Sequence, residues 1–108
     1  MLIRFGICST WLALGAFALV GCASTDKPTR EMIYASAALK AADRAQSEKR
    51  SPDLYRRAEN SYWKAKRLYL GKEYKESAKA AIDAKRLAEA AELDADIKDN
   101  LSNAEGGS

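Results

Sequence analysis

Alanine recurs at three- and four-residue steps through most of this chain, and nothing else in the sequence constrains the fold as strongly. That spacing places one small side chain per turn on one face of a helix. Residues 31–49, EMIYASAALKAADRAQSEK, contain no Gly or Pro and carry Ala35, Ala38, Ala42 and Ala45 on those steps, which predicts a first helix. Ser51-Pro52-Asp53 then reads as a helix start. Ser51 can cap, Pro52 sits where its missing N–H costs nothing, and Asp53 meets the positive end of the dipole. The second helix runs to about Leu70 with Tyr55, Ala58, Tyr62, Ala65 and Tyr69 as its seam, and Gly71 fits a C-terminal cap. Lys72-Glu73-Tyr74 opens a third helix, with Tyr74, Ser77, Ala81, Ala84, Ala88, Ala91 and Ala95 in register, ending near Asn100. The expected fold is all-α: a small alanine-rich three-helix up-down-up bundle over residues 31–101, a helical hairpin plus an N-terminal helix. Residues 102–108 are left as a flexible tail.

Small seams on the first and third helices leave room for the tyrosine rings of the second, and alanine lets helix axes approach closely. The tyrosine stripe therefore reads as core, with a ligand-binding aromatic face as the alternative. Burying alanine removes little apolar area, so the core is expected to be thin and stability modest. The third helix is longer than the second, and its seam beyond about Ala91 is expected to lack cover within one molecule. A second subunit or a partner helix would supply it. Trp63 lies about a quarter-turn off the tyrosine seam, among Lys64, Lys66 and Arg67, with Leu70 one heptad on. Core packing is the first reading for this indole; a membrane interface or a partner anchor is the other.

The amino-terminal part follows a different logic. Arg4 precedes an almost wholly apolar run from Phe5 to Val20 that holds no acidic residue, the charged start and apolar middle of a secretory signal. The run falls short of the roughly 20 residues a membrane-crossing helix needs. It stops at Leu19-Val20-Gly21-Cys22, which resembles the bacterial lipobox. That resemblance implies cleavage between Gly21 and Cys22, removal of residues 1–21, and acylation of Cys22 on its thiol and new amino group. Several acyl chains anchor a protein far more firmly than one. Ala23 after the cysteine, by resemblance to Gram-negative lipoproteins, implies the periplasmic face of the outer membrane. Cys8 would leave with the signal, so no disulfide is expected. Residues 22–30 then form a lipidated tether that reaches roughly 25 Å when extended.

Removing residues 1–21 leaves 87 residues, enough for one small domain. The chain contains no His, which excludes imidazole metal sites and His-based catalytic triads. Gly beyond the signal is confined to Gly71, Gly106 and Gly107, so there is no phosphate-cradling loop. The expectation is a non-enzyme with no cofactor and no metal. Charge is nearly balanced overall but unevenly placed: residues 40–86 hold 14 basic against 7 acidic side chains, whereas residues 87–108 hold only Lys98 against six acids. A basic hairpin could meet anionic headgroups, lipopolysaccharide phosphates or peptidoglycan carboxylates; the plainer reading is a solvated surface with ordinary ion pairs. Nucleic acid is not expected as a partner of an exported, anchored protein.

The stretch from Pro52 to about Ala95 resembles domain-of-unknown-function family 4398, found in small bacterial lipoproteins and ahead of OmpA-type peptidoglycan-binding domains. Pro52 with Tyr55, Gly71 with Tyr74, and Ala81, Ala84, Ala88 and Ala91 carry the resemblance. The family has no established activity, so it implies no catalytic residues. Leu70-Gly71-Lys72-Glu73-Tyr74 with Ala78 also looks like a fragment of a tetratricopeptide repeat, a fold analogy only because one hairpin cannot form an array. Together these readings predict a lipid-anchored helical module of the cell envelope that binds another envelope protein or self-associates. Trp63, Lys64, Lys66, Arg67 and Leu70 are the candidate contact residues. The alternative is a lipoprotein that holds peptidoglycan or lipopolysaccharide through its basic hairpin.

Overall fold

A computed structural model describes residues 26–107. The signal segment, Gly21, Cys22 and the first part of the tether lie outside the described residues. The described part is all-α: α1 (Thr29–Arg44), the short α2 (Ser47–Arg50), α3 (Pro52–Leu70) and α4 (Tyr74–Gly106). None of these helices is long and apolar enough to cross a membrane.

The bundle is organised around α4. Both α1 and α3 pack extensively along it and scarcely touch one another. This differs from the expected arrangement, in which the tyrosines of the second helix were to fill the space between two alanine seams. The physical reason is that α4 carries the longest unbroken small-residue seam: Ser77, Ala81, Ala84, Ala88, Ala91 and Ala95 are all fully buried. Two helices can approach that seam closely, each with small residues of its own. Ala35, Ala38 and Ala42 face it from α1, and Ala58 and Ala65 from α3. All eleven buried hydrophobic residues among those described are alanines. At about 0.8 kcal/mol for a buried methyl-sized group, such a core is thin. Tyr55 and Tyr62 are only half-buried, packed at the edges of the two alanine clusters with Met32, Leu39, Leu54, Leu68 and Leu87. The tyrosine stripe therefore flanks the core instead of forming it.

Three boundaries differ from those read in the sequence. The first helix does not continue to Lys49. Its last turn closes with Ala45 N–H on the Ala41 carbonyl (3.1 Å) and Gln46 N–H on the Asp43 carbonyl (3.0 Å). Gln46 is left-handed at φ 59°, so the chain bends and restarts as α2. The bend lets α2 lie across both α3 and α4 and extends the covered part of the α4 seam. Ala95, expected to lack a cover, is fully buried. The second difference is at Ser51, whose side chain makes no capping bond to α3. Its hydroxyl instead hydrogen-bonds the Asp94 carboxylate on α4. Third, α4 runs on through residues 102–106, which the sequence reading assigned to a flexible tail. At 1.5 Å per residue its 33 residues span about 50 Å.

The α3–α4 turn is a Schellman closure. Lys72 N–H bonds the Tyr69 carbonyl (3.1 Å) and Glu73 N–H bonds the Leu68 carbonyl (2.9 Å). The left-handed residue in it is Lys72 (φ 61°), while Gly71 sits at φ −79°. The cap expected at Gly71 is thus made one residue later, by a residue with a Cβ. Just beyond the turn, buried Ser77 donates its hydroxyl to the Ala65 carbonyl at 2.8 Å, fixing the register of α3 against α4.

At the opposite end a polar cluster ties α4 to the α2–α3 link. Arg50 pairs with Asp99 at 2.6 Å. Lys98 Nζ donates to the Arg50 carbonyl at 2.7 Å and pairs with Asp94 at 2.8 Å. Hydrogen bonds from Lys98, first, and Ser51 hold the Asp94 carboxyl below the ordinary aspartate range.

Candidate interaction groove

Between α1 and α3, which meet one another less extensively than each meets α4, lies a groove of about 660 Å³. It lies at the end of the bundle where the tether enters α1 and where α3 turns into α4. Thr29, Met32, Ile33, Ser36, Ala37 and Lys40 form the α1 wall, and Tyr62, Lys66, Tyr69 and Leu70 the α3 wall. The helical period explains the α1 wall, since Ile33, Ala37 and Lys40 are spaced by four and three residues and sit beside the buried stripe of Ala35, Ala38 and Ala42. Large aliphatic residues here are open to solvent: Ile33 is 59% and Leu70 79% exposed. The charged lining residues, Lys40 and Lys66, are both cationic, one on each wall.

Two aromatic pairs lie along α3, the second reaching to the start of α4. Tyr62 and Trp63 meet edge to face with ring centroids 6.2 Å apart, and Tyr69 meets Tyr74 in the same way at 5.7 Å. The Lys66 ammonium lies 4.6 Å from the Trp63 ring centre and 5.5 Å from that of Tyr62, within cation–π reach of both. Trp63 is half-exposed, so the core reading of this indole does not hold. It forms the outer shoulder of the groove.

The five candidate contact residues do not make one patch. Lys66 and Leu70 line the groove and Trp63 touches Lys66, so these three form a continuous strip on α3. Arg67 and Lys64 are exposed and lie outside the lining. On a helix, Lys64 projects roughly 160° away from Lys66. The α1 half of the groove was absent from the candidates. Its sequence signal was Ile33, a large aliphatic residue off a seam that otherwise holds only alanine.

A second cleft lies between α3 and α4. Arg57, Asn60, Ser61, Asp83, Arg86 and Leu87 line it with mixed charge. Among the described residues no cluster of three or more Cys, Asp or Glu side chains is placed to hold a metal ion. Burial, then the nearby Glu59, Asp43 and Glu48, raise the Tyr55 hydroxyl above its ordinary pKa.

No family model, curated protein or solved structure matches this chain.

Proposed function

We propose that this chain is a lipid-anchored, non-enzymatic interaction module of the bacterial cell envelope. In this reading residues 1–21 are a lipoprotein signal peptide, and an acylated Cys22 holds a three-helix, up-down-up bundle at the periplasmic face of the outer membrane. The bundle binds another envelope protein through the groove between α1 and α3. The observation that carries the binding role is the groove itself: solvent-open Ile33 and Leu70, an aromatic shoulder and two cations, on a bundle whose own core is built from alanine. The anchor rests on Leu19-Val20-Gly21-Cys22 after its apolar run.

Two measurements test this reading. The intact mass of the membrane-extracted protein, beside a Cys22→Ala variant, is expected to show a chain beginning at an acylated Cys22; an unmodified full-length mass removes the anchor. Photo-cross-linking in cells from positions 33 and 70 is expected to capture a discrete protein that position 64 does not. Capture of nothing, or the same products from all three positions, removes the binding role.

The exposed cations outside the groove, Lys64 and Arg67 among them, favour a second reading, in which the basic hairpin holds peptidoglycan or lipopolysaccharide. Co-sedimentation with purified sacculi that is unchanged when Lys64, Lys66 and Arg67 become Glu counts against it.

A further inference from the structure

We infer that the occupant of the α1–α3 groove is an amphipathic α-helix with acidic flanks, contributed by a protein partner. This inference rests on the groove being the module's binding surface, and does not depend on the anchor. The first argument is shape. Two helices, α1 and α3, form the walls of the groove, and helices bind such interhelical grooves by laying apolar residues at i, i+3 or i+4 and i+7 into them.

The second argument is chemistry along the walls. Met32, Ile33, Tyr62 and Leu70 offer apolar contact, and the only charged lining groups are two cations, Lys40 on the α1 wall and Lys66 on the α3 wall. The nearest acidic residues along the two helices, Glu31 and Glu59, lie outside the lining. A helix seated here meets one cation on each flank, so carboxylates on both sides of its apolar stripe are matched and ammonium groups are repelled. The Lys66 ammonium already lies over the Tyr62 and Trp63 rings. That contact holds it at the rim and lowers the entropy cost of pairing it.

The test uses the full chain and two labelled synthetic helical peptides with the same leucine stripe, one flanked by Glu and one by Lys. Fluorescence anisotropy is expected to show the Glu peptide binding about tenfold tighter than the Lys peptide. Lys40→Glu with Lys66→Glu is expected to reverse that preference. Lys64→Glu with Arg57→Glu, an equal charge change on the face of α3 turned away from the groove, is expected to leave it standing. Leu70→Asp is expected to abolish binding of both peptides with an unchanged circular dichroism spectrum, because Leu70 is solvent-exposed.

Equal binding of the two peptides, or equal effects of the two charge-reversal pairs, overturns the inference. So does Lys66-dependent binding to phosphatidylglycerol vesicles without peptide binding, which would make the groove a lipid contact. Concentration-dependent self-association that Leu70→Asp removes overturns it too, in favour of a second copy. The fate of Cys22 is read separately from the intact mass. Loss of the anchor and loss of the helix site are therefore distinguishable results.

Discussion

Exchanging the character of two neighbouring residues in the α3–α4 turn separates the structure from the plain sequence reading. Lys72 holds the left-handed position at φ 61°, and Gly71 before it sits at φ −79°. A side chain in the left-handed region costs about 1 kcal/mol or somewhat more, which glycine avoids at some loss of chain entropy on folding. Lys72→Gly is therefore expected to stabilise by about 0.5–1 kcal/mol. At Gly71 an added Cβ would meet only the Arg67 and Leu68 carbonyl oxygens, at 3.5 and 3.7 Å. These are ordinary contacts, so Gly71→Ala gains the roughly 0.4–1 kcal/mol that comes from restricting the unfolded chain. The two residues adjoin and can couple, so each single variant is measured beside the pair. The double variant should gain about 1–2 kcal/mol, which for a domain this size raises the thermal midpoint by roughly 4–16 °C. Circular dichroism melts at 222 nm provide the assay. If Gly71→Ala instead lowers the midpoint while Lys72→Gly does not raise it, glycine occupies the left-handed site and the turn geometry described above is wrong.

Other outcomes follow from single features of the packing. Ser47 Oγ is fully buried and has no hydrogen-bond partner among the described residues, whereas Ser77 Oγ is buried and bonded to Ala65. Ser47→Ala should therefore be neutral or stabilising by up to about 1 kcal/mol and Ser77→Ala destabilising by about 1 kcal/mol, an ordering that urea titration reads directly. Ala88 is fully buried beside Ala38, Ala42 and Ala58, so Ala88→Leu should force the helices apart at a cost of about 1–3 kcal/mol, seen as a lower urea midpoint. The lowered Asp94 pKa contributes stability that is present above the ordinary aspartate value and lost as pH falls through the lowered one. Asp94→Asn should flatten the acid limb of a stability–pH profile, and an unchanged limb argues against the cluster. Ultraviolet titration should find Tyr55 ionising above the ordinary tyrosine range, and the stability tied to its neutral form lost as pH rises through its raised pKa.

The helices and most of their buried faces were legible from alanine spacing; Ala45, read as part of the first seam, is only half-buried where α1 ends, and Ala80, read on no seam, is buried. From Ser77 to Ala95 every seam position read from the sequence is buried, as are Ala35, Ala38, Ala42, Ala58 and Ala65. What periodicity does not encode is which helix lies in the middle, because a small seam packs equally well against one neighbour or two. The break at Gln46 was hidden for a related reason. Neither Gly nor Pro marks it, and the bend is favoured by what α2 covers on α4. The Ser51 cap failed because Asp94, more than 40 residues away in sequence, competes for the same hydroxyl. The candidate contact strip was half legible. Trp63, Lys66 and Leu70 share one face of α3, but sequence adjacency also drew in Lys64, which the helical turn sends roughly 160° from Lys66, and Arg67, which lies outside the groove lining.

The alanine seam and the groove have one cause. A seam of single methyl groups brings α1 and α3 close to α4, yet it offers too little volume to draw α1 and α3 onto each other. The bulky residues that would close that gap, Met32, Ile33, Tyr62, Tyr69 and Leu70, line the opening without filling it. A thin core and an open apolar groove are thus two results of one choice of side chain. An occupant that fills the groove buries exposed Ile33 and Leu70, so its binding free energy adds to a stability that alanine alone keeps modest. Raising the urea midpoint with a groove-filling peptide should therefore be easier here than in a bundle with a leucine core. Failure of the acidic peptide to raise that midpoint at saturating concentration would mean that the groove and the fold are energetically unconnected.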